Sequence, residues 1–273
     1  RLGHEVTLLP VDDTGRIDSQ ELKKAIKENT ALVTLIHGQN EIGTVQPLEE
    51  VGEICRESQV LFHVDASQSF GKIPFTVDSL NADFLNIAGH KIYGPKGVGA
   101  LYVSSLSPYV ELSEQIHGGG HERGMRSGTT NVAGVVGLGS ALEIARKEMS
   151  TEAARLGKLR DQLWQGLQNG IDNIELNGHP QNRLPHNLSC CIPGTESQAL
   201  LVQLKDHIAI STGSACTTAE VEPSHVIVAL GYGEERAHSS LRFGLGRSTT
   251  SEDVNYAISQ VVSATNRLSQ FSL

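Results

Sequence analysis

Two residues stand where an apolar strand gives way to a loop, and their types suit chemistry better than packing. The run Val60-Leu-Phe-His-Val-Asp-Ala-Ser-Gln68 sets Asp65 at the end of a buried strand, where an ionised carboxylate is costly unless it meets a positive partner. Capping of the helix that follows is the other use of an Asp there. One strand later, Phe84-Leu-Asn-Ile-Ala-Gly-His-Lys-Ile-Tyr-Gly-Pro-Lys-Gly97 sets Lys91 behind a second apolar run, in a glycine-rich loop. A lysine in that position is either a surface residue or an amine poised to form a Schiff base. Together the two residues suggest a cofactor site, because a lysine can hold an aldehyde while an aspartate keeps a pyridinium nitrogen protonated and the ring acts as an electron sink.

The elements around these residues read as layers. Short apolar runs at Val6–Leu9, Ala31–Ile36, Val60–Val64, Phe84–Ile87 and Gly99–Val103 alternate with helical patterns over Ser19–Glu28 and Leu48–Ser58, a pattern that predicts an α/β fold. Several strands are nearly continuous apolar runs, as expected for a mainly parallel sheet with helices on both faces. In such sheets functional groups collect beyond the C-terminal ends of the strands. A long helical pattern from Asn131 to about Gln168, with a break expected near Met149, bridges to a smaller α+β region. That region carries strand-like runs at Asn187–Ile192 and Ile208–Ser211 and helices over Ser197–Asp206 and Ser251–Leu268. The expected domains are residues 1–148 and 149–273.

Composition narrows the function classes. The chain has 273 residues and 38% hydrophobic residues, enough to bury a substantial core in two domains. A net charge of -9 argues against a nucleic-acid ligand. No apolar stretch of about 18 residues and no basic-then-apolar leader is present, so neither a membrane span nor a signal peptide is expected. The four cysteines, Cys55, Cys190, Cys191 and Cys216, lack CxxC spacing and fit free thiols in a cytoplasmic or other reducing soluble compartment. Among the 11 histidines the HxxxH spacing occurs once, at His117 and His121 across a glycine triplet that disfavours the helix such a pair needs, so no metal site is expected. The opening Arg1-Leu-Gly-His-Glu-Val-Thr-Leu-Leu reads as a helix end running into a strand, which predicts that something upstream has been removed.

Asp65-Ala-Ser-Gln68 followed by Gly89-His-Lys-Ile-Tyr-Gly-Pro-Lys-Gly97 resembles the signature of the fold type I pyridoxal-phosphate enzymes in the cysteine desulfurase group. The resemblance runs in order through Asn40-Glu-Ile-Gly43, His117 to Thr129, Ser214-Ala-Cys-Thr217 and His238 to Arg247. It implies that Lys91 forms the Schiff base with pyridoxal 5'-phosphate, that Asp65 pairs with the pyridine nitrogen, and that Asn40 and Gln68 lie near the ring's phenolic oxygen. It further implies that His90 contacts the phosphate. Thr129 resembles the residue that reaches the phosphate of a neighbouring subunit's cofactor, which implies a homodimer with composite sites. Arg242 matches the arginine that holds the substrate carboxylate, a task suited to a planar guanidinium that grips both oxygens. Asn40 would touch the substrate as well.

Cys216 follows a strand-like run and sits among Gly213, Ser214 and Ala215, small residues that would let a thiolate approach a substrate and then swing away with sulfur. The other three cysteines read as buried small hydrophobes. The implied reaction takes sulfur from L-cysteine, leaves L-alanine, and carries a persulfide on Cys216 to an iron–sulfur scaffold or sulfur-relay protein. One departure from the family's commoner pattern is Ala88, where many relatives have a serine whose hydroxyl meets the phosphate. The missing bond contributes about 0.5–1.5 kcal/mol, which weakens cofactor affinity without abolishing binding. The alternatives are a selenocysteine lyase, or a catalytically silent fragment that keeps only an interaction surface. The resemblance also implies that a segment before Arg1 supplies a phosphate cradle and a stacked histidine, so the chain alone is expected to be a poor enzyme.

Overall fold

The computed structural model describes residues 3–105, 110–212 and 223–270. In chain order its elements are α1 (Ser19–Ala25), β1 (Leu32–Ile36), α2 (Leu48–Glu57), β2 (Leu61–Asp65), α3 (Val77–Leu80), β3 (Phe84–Ala88), β4 (Gly99–Val103) and α4 (Val132–Gly170). After these come β5 (Glu175–Leu176), β6 (Asn187–Cys191), α5 (Ser197–Leu204), α6 (His225–Ile227), α7 (Gly233–His238), β7 (Ser240–Gly244) and α8 (Ser251–Ser269). Two units form. One holds Ile26–His37 and Leu48–Ser150, the other Arg1–Ala25, Gly38–Pro47 and Thr151–Leu273.

The first unit is built on a sheet of order β1-β2-β3-β4, parallel through β3 and antiparallel at β4. Alternation along β2 buries Phe62 and Val64 and leaves His63 and Asp65 half-exposed, so one face of the sheet is apolar and the other carries polar groups. Helix α2 buries Leu48, Val51, Ile54 and Cys55. It passes α3 so closely that a Cβ on Gly52 would lie 1.9 Å from the Leu80 carbonyl oxygen. Helix α3 starts with a capping box between Thr76 and Ser79 and stops at Asn81 in the left-handed region, φ 50°, as a short polar side chain permits.

In the second unit β5-β6-β7 form an antiparallel sheet. Its core gathers Leu163 and Leu167 of α4, Leu188 of β6, Leu200 of α5, Leu241 of β7 and Val261 of α8. Glycines make the closest helix contact possible, since a Cβ on Gly166 or Gly170 would come within 2.3 and 2.5 Å of Ile258 and Val262. Reciprocal bonds between Thr250 and Asp253 cap the start of α8.

The α/β reading with a mostly parallel sheet holds, and so do most of the expected elements. Three expectations do not. Val6–Leu9 is not a strand; Val6 and Leu8 are 80% and 86% exposed, and among the described residues no strand pairs with them, without which an extended segment has no ladder. Ile208–Ser211 contributes only an isolated bridge between Ser211 and Arg242. Helix α4 runs unbroken through Met149 from Val132 to Gly170. Its glycines are tolerated where a neighbour presses on them, as Pro95 does within 2.6 Å of where a Gly137 Cβ would stand. The chain passes from one unit to the other between Ser150 and Thr151, and Arg1–Ala25 and Gly38–Pro47 group with the later residues. Thr44 bridges to Arg183, whose guanidinium donates to the Ile42 carbonyl.

Candidate active site

Asp65 closes β2 and Ala88 closes β3. Because the strands are parallel neighbours with Asp65 opposite Asn86, the turn that carries Lys91 leaves the same edge of the sheet as Asp65. That turn is a tight helical one, Gly89–Ile92, followed by Tyr93 at φ 64°. The Gly89 amide donates to the Val98 carbonyl, and the Gly94 amide donates back to the Gly89 carbonyl. A Cβ on Gly89 would meet the backbone oxygens of Val98 and Pro95 at 2.9 and 3.1 Å, so glycine is what lets the loop close. Ile92 is buried with Leu138 and Ala141 of α4. The loop is thus pinned while the neighbouring Lys91 and His90 stay exposed. Ala88, at the start of the turn, makes no side-chain capping bond, in keeping with the hydroxyl absent from that position.

Asp65 is half-buried, and its Oδ1 accepts from the Ser67 amide at 2.9 Å and from Asn86 Nδ2 at 2.9 Å. Burial pushes its pKa up, but hydrogen bonds from Ser67 and Asn86 together with His63 outweigh it and hold the carboxyl below its ordinary value. An ionised carboxylate is the form that a protonated pyridine nitrogen requires. Gln68, two residues past Ala66, is half-exposed on the turn where the Ser69 and Phe70 amides donate to the Ala66 carbonyl. Thr129 is exposed on the glycine-rich loop that leads into α4. Buried Ser127 organises that loop, accepting from the Gly120 amide and donating to Glu114.

The second unit brings Asn40 and Arg242 together. Arg242 Nη1 donates to the Asn40 carbonyl at 3.2 Å and its Nε to Ser211 Oγ at 3.1 Å. Paired backbone bonds join Ser211 to Arg242. Beyond Ser211 the chain enters residues 213–222, so Cys216 lies outside the described residues. On the far side of that segment Ser224 donates to buried Glu41 at 2.6 Å. Neither Ser211 nor Glu41 was singled out from sequence, though Glu41 lies inside the Asn40-Glu-Ile-Gly43 motif.

The remaining cysteines are poor nucleophiles. Burial pushes the Cys55 and Cys190 thiols up to about 12 and Cys191 to about 11, so the reactive thiolate is scarce at neutral pH. Among the described residues no group of three or more His, Cys, Asp or Glu could hold a metal ion.

Known proteins resemble this chain in sequence and fold. The aminotransferase class-V family model matches residues 1–256. A cysteine desulfurase IscS of Histophilus somni is 51% identical over 272 residues, covering 100% of this chain and 67% of the relative. The chain belongs to the cysteine desulfurases of the class-V aminotransferase family. A second such desulfurase, from an Anaeromyxobacter species, is 50% identical with the same coverage. Among solved structures, a NifS-like protein superimposes with a TM-score of 0.87 at 36% identity, over 97% of this chain and 69% of that one. The chain therefore spans about two thirds of the length of the desulfurases it matches. Among its described residues no helix is long and apolar enough to cross a membrane.

Sequence reasoning also missed a row of polar side chains behind Asp65. Thr34 Oγ1 lies 2.7 Å from His63 Nδ1, and His63 Nε2 lies 2.9 Å from Asn86 Oδ1. The available signal was period two: His63 and Asp65 alternate with Phe62 and Val64, and Asn86 interrupts the apolar run of β3.

Proposed function

We propose that this chain carries the site of a pyridoxal-phosphate-dependent cysteine desulfurase, with Lys91 as the cofactor lysine and Cys216 as the residue that accepts sulfur from L-cysteine. The observation that carries the reading is the pair at one sheet edge: an exposed lysine on a pinned turn and, on the adjacent strand, a carboxylate held ionised against its own burial. That donor set fits a pyridine aldehyde. When bound, the cofactor supplies an electron sink for the carbon next to the substrate's amino group. Lys91 would hold the aldehyde through its amine, and the same amine, when free, would be the base that takes the substrate's α-proton. Asp65 would keep a proton on the ring nitrogen, Gln68 and Asn40 would meet the phenolic oxygen, and His90 would meet the phosphate.

Arg242 orients the amino acid by its carboxylate; its bonds to Ser211 and Asn40 fix the plane of the guanidinium before substrate arrives, which lowers the ordering cost of binding. The Cys216 thiolate attacks the substrate sulfur. A sulfur–sulfur bond forms as the carbon–sulfur bond breaks, and the carbon fragment keeps that electron pair, takes up protons and leaves as alanine. The persulfide then passes to an acceptor protein of iron–sulfur assembly or sulfur relay. The exposed stripe of Val132, Val136 and Ile144 on α4 supports a homodimer in which Thr129, just before the stripe, reaches a second copy's phosphate. Free, buried cysteines suit a reducing compartment such as the cytoplasm.

The test is mass-spectrometric mapping of persulfide after incubation with L-cysteine and pyridoxal phosphate, beside L-selenocysteine. Label on Cys216, absent from Cys216→Ser while the cofactor spectrum is kept, is the expected result. Label on Cys55, Cys190 or Cys191 refutes the assignment, and turnover of L-selenocysteine alone points to a lyase instead.

A further inference from the structure

We propose that Asn86 is a positioning residue for Asp65, the end of a directed row of hydrogen bonds that runs from Thr34 through His63. The inference deepens the reading above and rests on it, since it takes Asp65 as the partner of the pyridine nitrogen. Three strands supply the row: Thr34 of β1 stands opposite His63 of β2, and Asp65 of β2 stands opposite Asn86 of β3. His63 and Asp65 are two apart and share a face of the sheet.

The direction of the two bonds nearest Asp65 follows from the last acceptor. An ionised carboxylate only accepts, so Asn86 must present its NH2 to Asp65 Oδ1, 2.9 Å away; the second hydrogen of that NH2 reaches Ser67 Oγ at 3.0 Å. The Asn86 carbonyl oxygen then faces His63 Nε2 at 2.9 Å and requires a hydrogen there. In the neutral ring that hydrogen leaves Nδ1 as an acceptor for the Thr34 hydroxyl, 2.7 Å away, and in the charged ring Nδ1 donates to the same oxygen. Both ends of the Asn86 amide are thereby used. Its neighbours Leu85 and Ile87 in β3 are apolar, and an amide in such a strand is unfavourable unless its bonds are made.

The row does two things for the carboxylate. It donates a hydrogen bond that stabilises the ionised form, and it ties the orientation of Asp65 to a side chain anchored on the next strand. Serine at position 86 is too short to span from His63 to Asp65, and alanine bonds neither.

The experiment compares wild type with Asn86→Ala, and with Asn86→Ser should the alanine variant fold poorly by circular dichroism. The first readout uses the chain without cofactor: 15N chemical shifts of the His63 ring, expected to report one Nε2–H tautomer in wild type and a mixture in the variant. The second is the ratio of dissociation constants for pyridoxal phosphate and for its analogue with carbon in place of the ring nitrogen. Both carry the aldehyde that Lys91 needs, so a general loss of structure weakens them alike. Wild type is expected to prefer pyridoxal phosphate, and loss of a charge-assisted bond to shrink that preference about ten-fold. An unchanged ratio in a folded variant, or a His63 tautomer indifferent to the substitution, overturns the proposal. Equal binding of both compounds by wild type instead refutes the pairing of Asp65 with the ring nitrogen, and the His63 tautomer alone then decides whether Asn86 positions Asp65.

Discussion

Arg242 serves two masters, and their separation is a test. Its Nε and Nη1 hold Ser211 and the Asn40 carbonyl, while its proposed ligand is the substrate carboxylate. Arg242→Ala is expected to weaken L-cysteine binding by about 1.5–3 kcal/mol, roughly ten- to a hundred-fold, and cofactor binding far less. The concentration dependence of the spectral change on adding cysteine measures it, and an unchanged midpoint removes Arg242 from the substrate's site. His37 sets an acid limit on stability. It is 5% exposed beside the Phe75 ring, and burial holds its pKa down from 6.5 to about 4. The unfolded chain therefore binds a proton that the folded chain refuses, so this contribution to stability is intact above pH 6.5 and falls as the pH drops toward 4, by up to about 3 kcal/mol. Thermal midpoints of His37→Phe measured across that window are expected to fall less steeply than those of wild type, and parallel curves contradict the assignment. Asp65 and Lys91 were legible in the sequence because each is a charge at the end of an apolar run. Asn86 was not, since its partners His63 and Asp65 are 23 and 21 positions away and only strand register joins them.

At the scale of elements, two glycines decide whether the site's supports can form. Gly89 lets the Lys91 turn close on the Val98 and Pro95 carbonyl oxygens, and Gly52 lets α2 lie against the Leu80 carbonyl. Backbone cannot step aside as a side-chain end can, so a methyl at either place forces a shift that typically costs about 1–3 kcal/mol. Gly89→Ala is expected to impair cofactor uptake as well as lower the thermal midpoint, because this buried glycine closes the turn that carries Lys91. Gly52→Ala, in the helix layer, is expected to lower the midpoint while the folded chain keeps its cofactor affinity. Normal uptake by Gly89→Ala, or weakened affinity in folded Gly52→Ala, measured by spectral titration beside calorimetry, contradicts these roles. Sequence periodicity located β2, α2 and α8 within a residue or two, since each buries a clear face, and the apolar runs of β3 and β4 located those strands. It failed at Val6–Leu9, which has no strand partner among the described residues, at Ile208–Ser211, which meets β7 only through Ser211, and at Met149, where no residue type breaks α4.

For the whole molecule, the same pattern of runs predicted the α/β class, whereas the grouping of Gly38–Pro47 with residues after 150 involves a bridge between Thr44 and Arg183, far apart in the chain, which local pattern does not register. Assembly is open to direct test. Val136 is 63% exposed on the α4 stripe, and a carboxylate there would be desolvated in any interface that covers it. Val136→Asp is expected to shift sedimentation from dimer to monomer, and an unaltered dimer places the interface elsewhere. The central claim is that a cofactor aldehyde is held by Lys91, on the pinned turn beside Asp65. The most direct measurement is borohydride reduction of the protein with pyridoxal phosphate, followed by peptide mapping. The adduct is expected on Lys91 and lost in Lys91→Ala, with Lys96→Ala unaffected; an adduct on Lys96, or persisting without Lys91, contradicts the account.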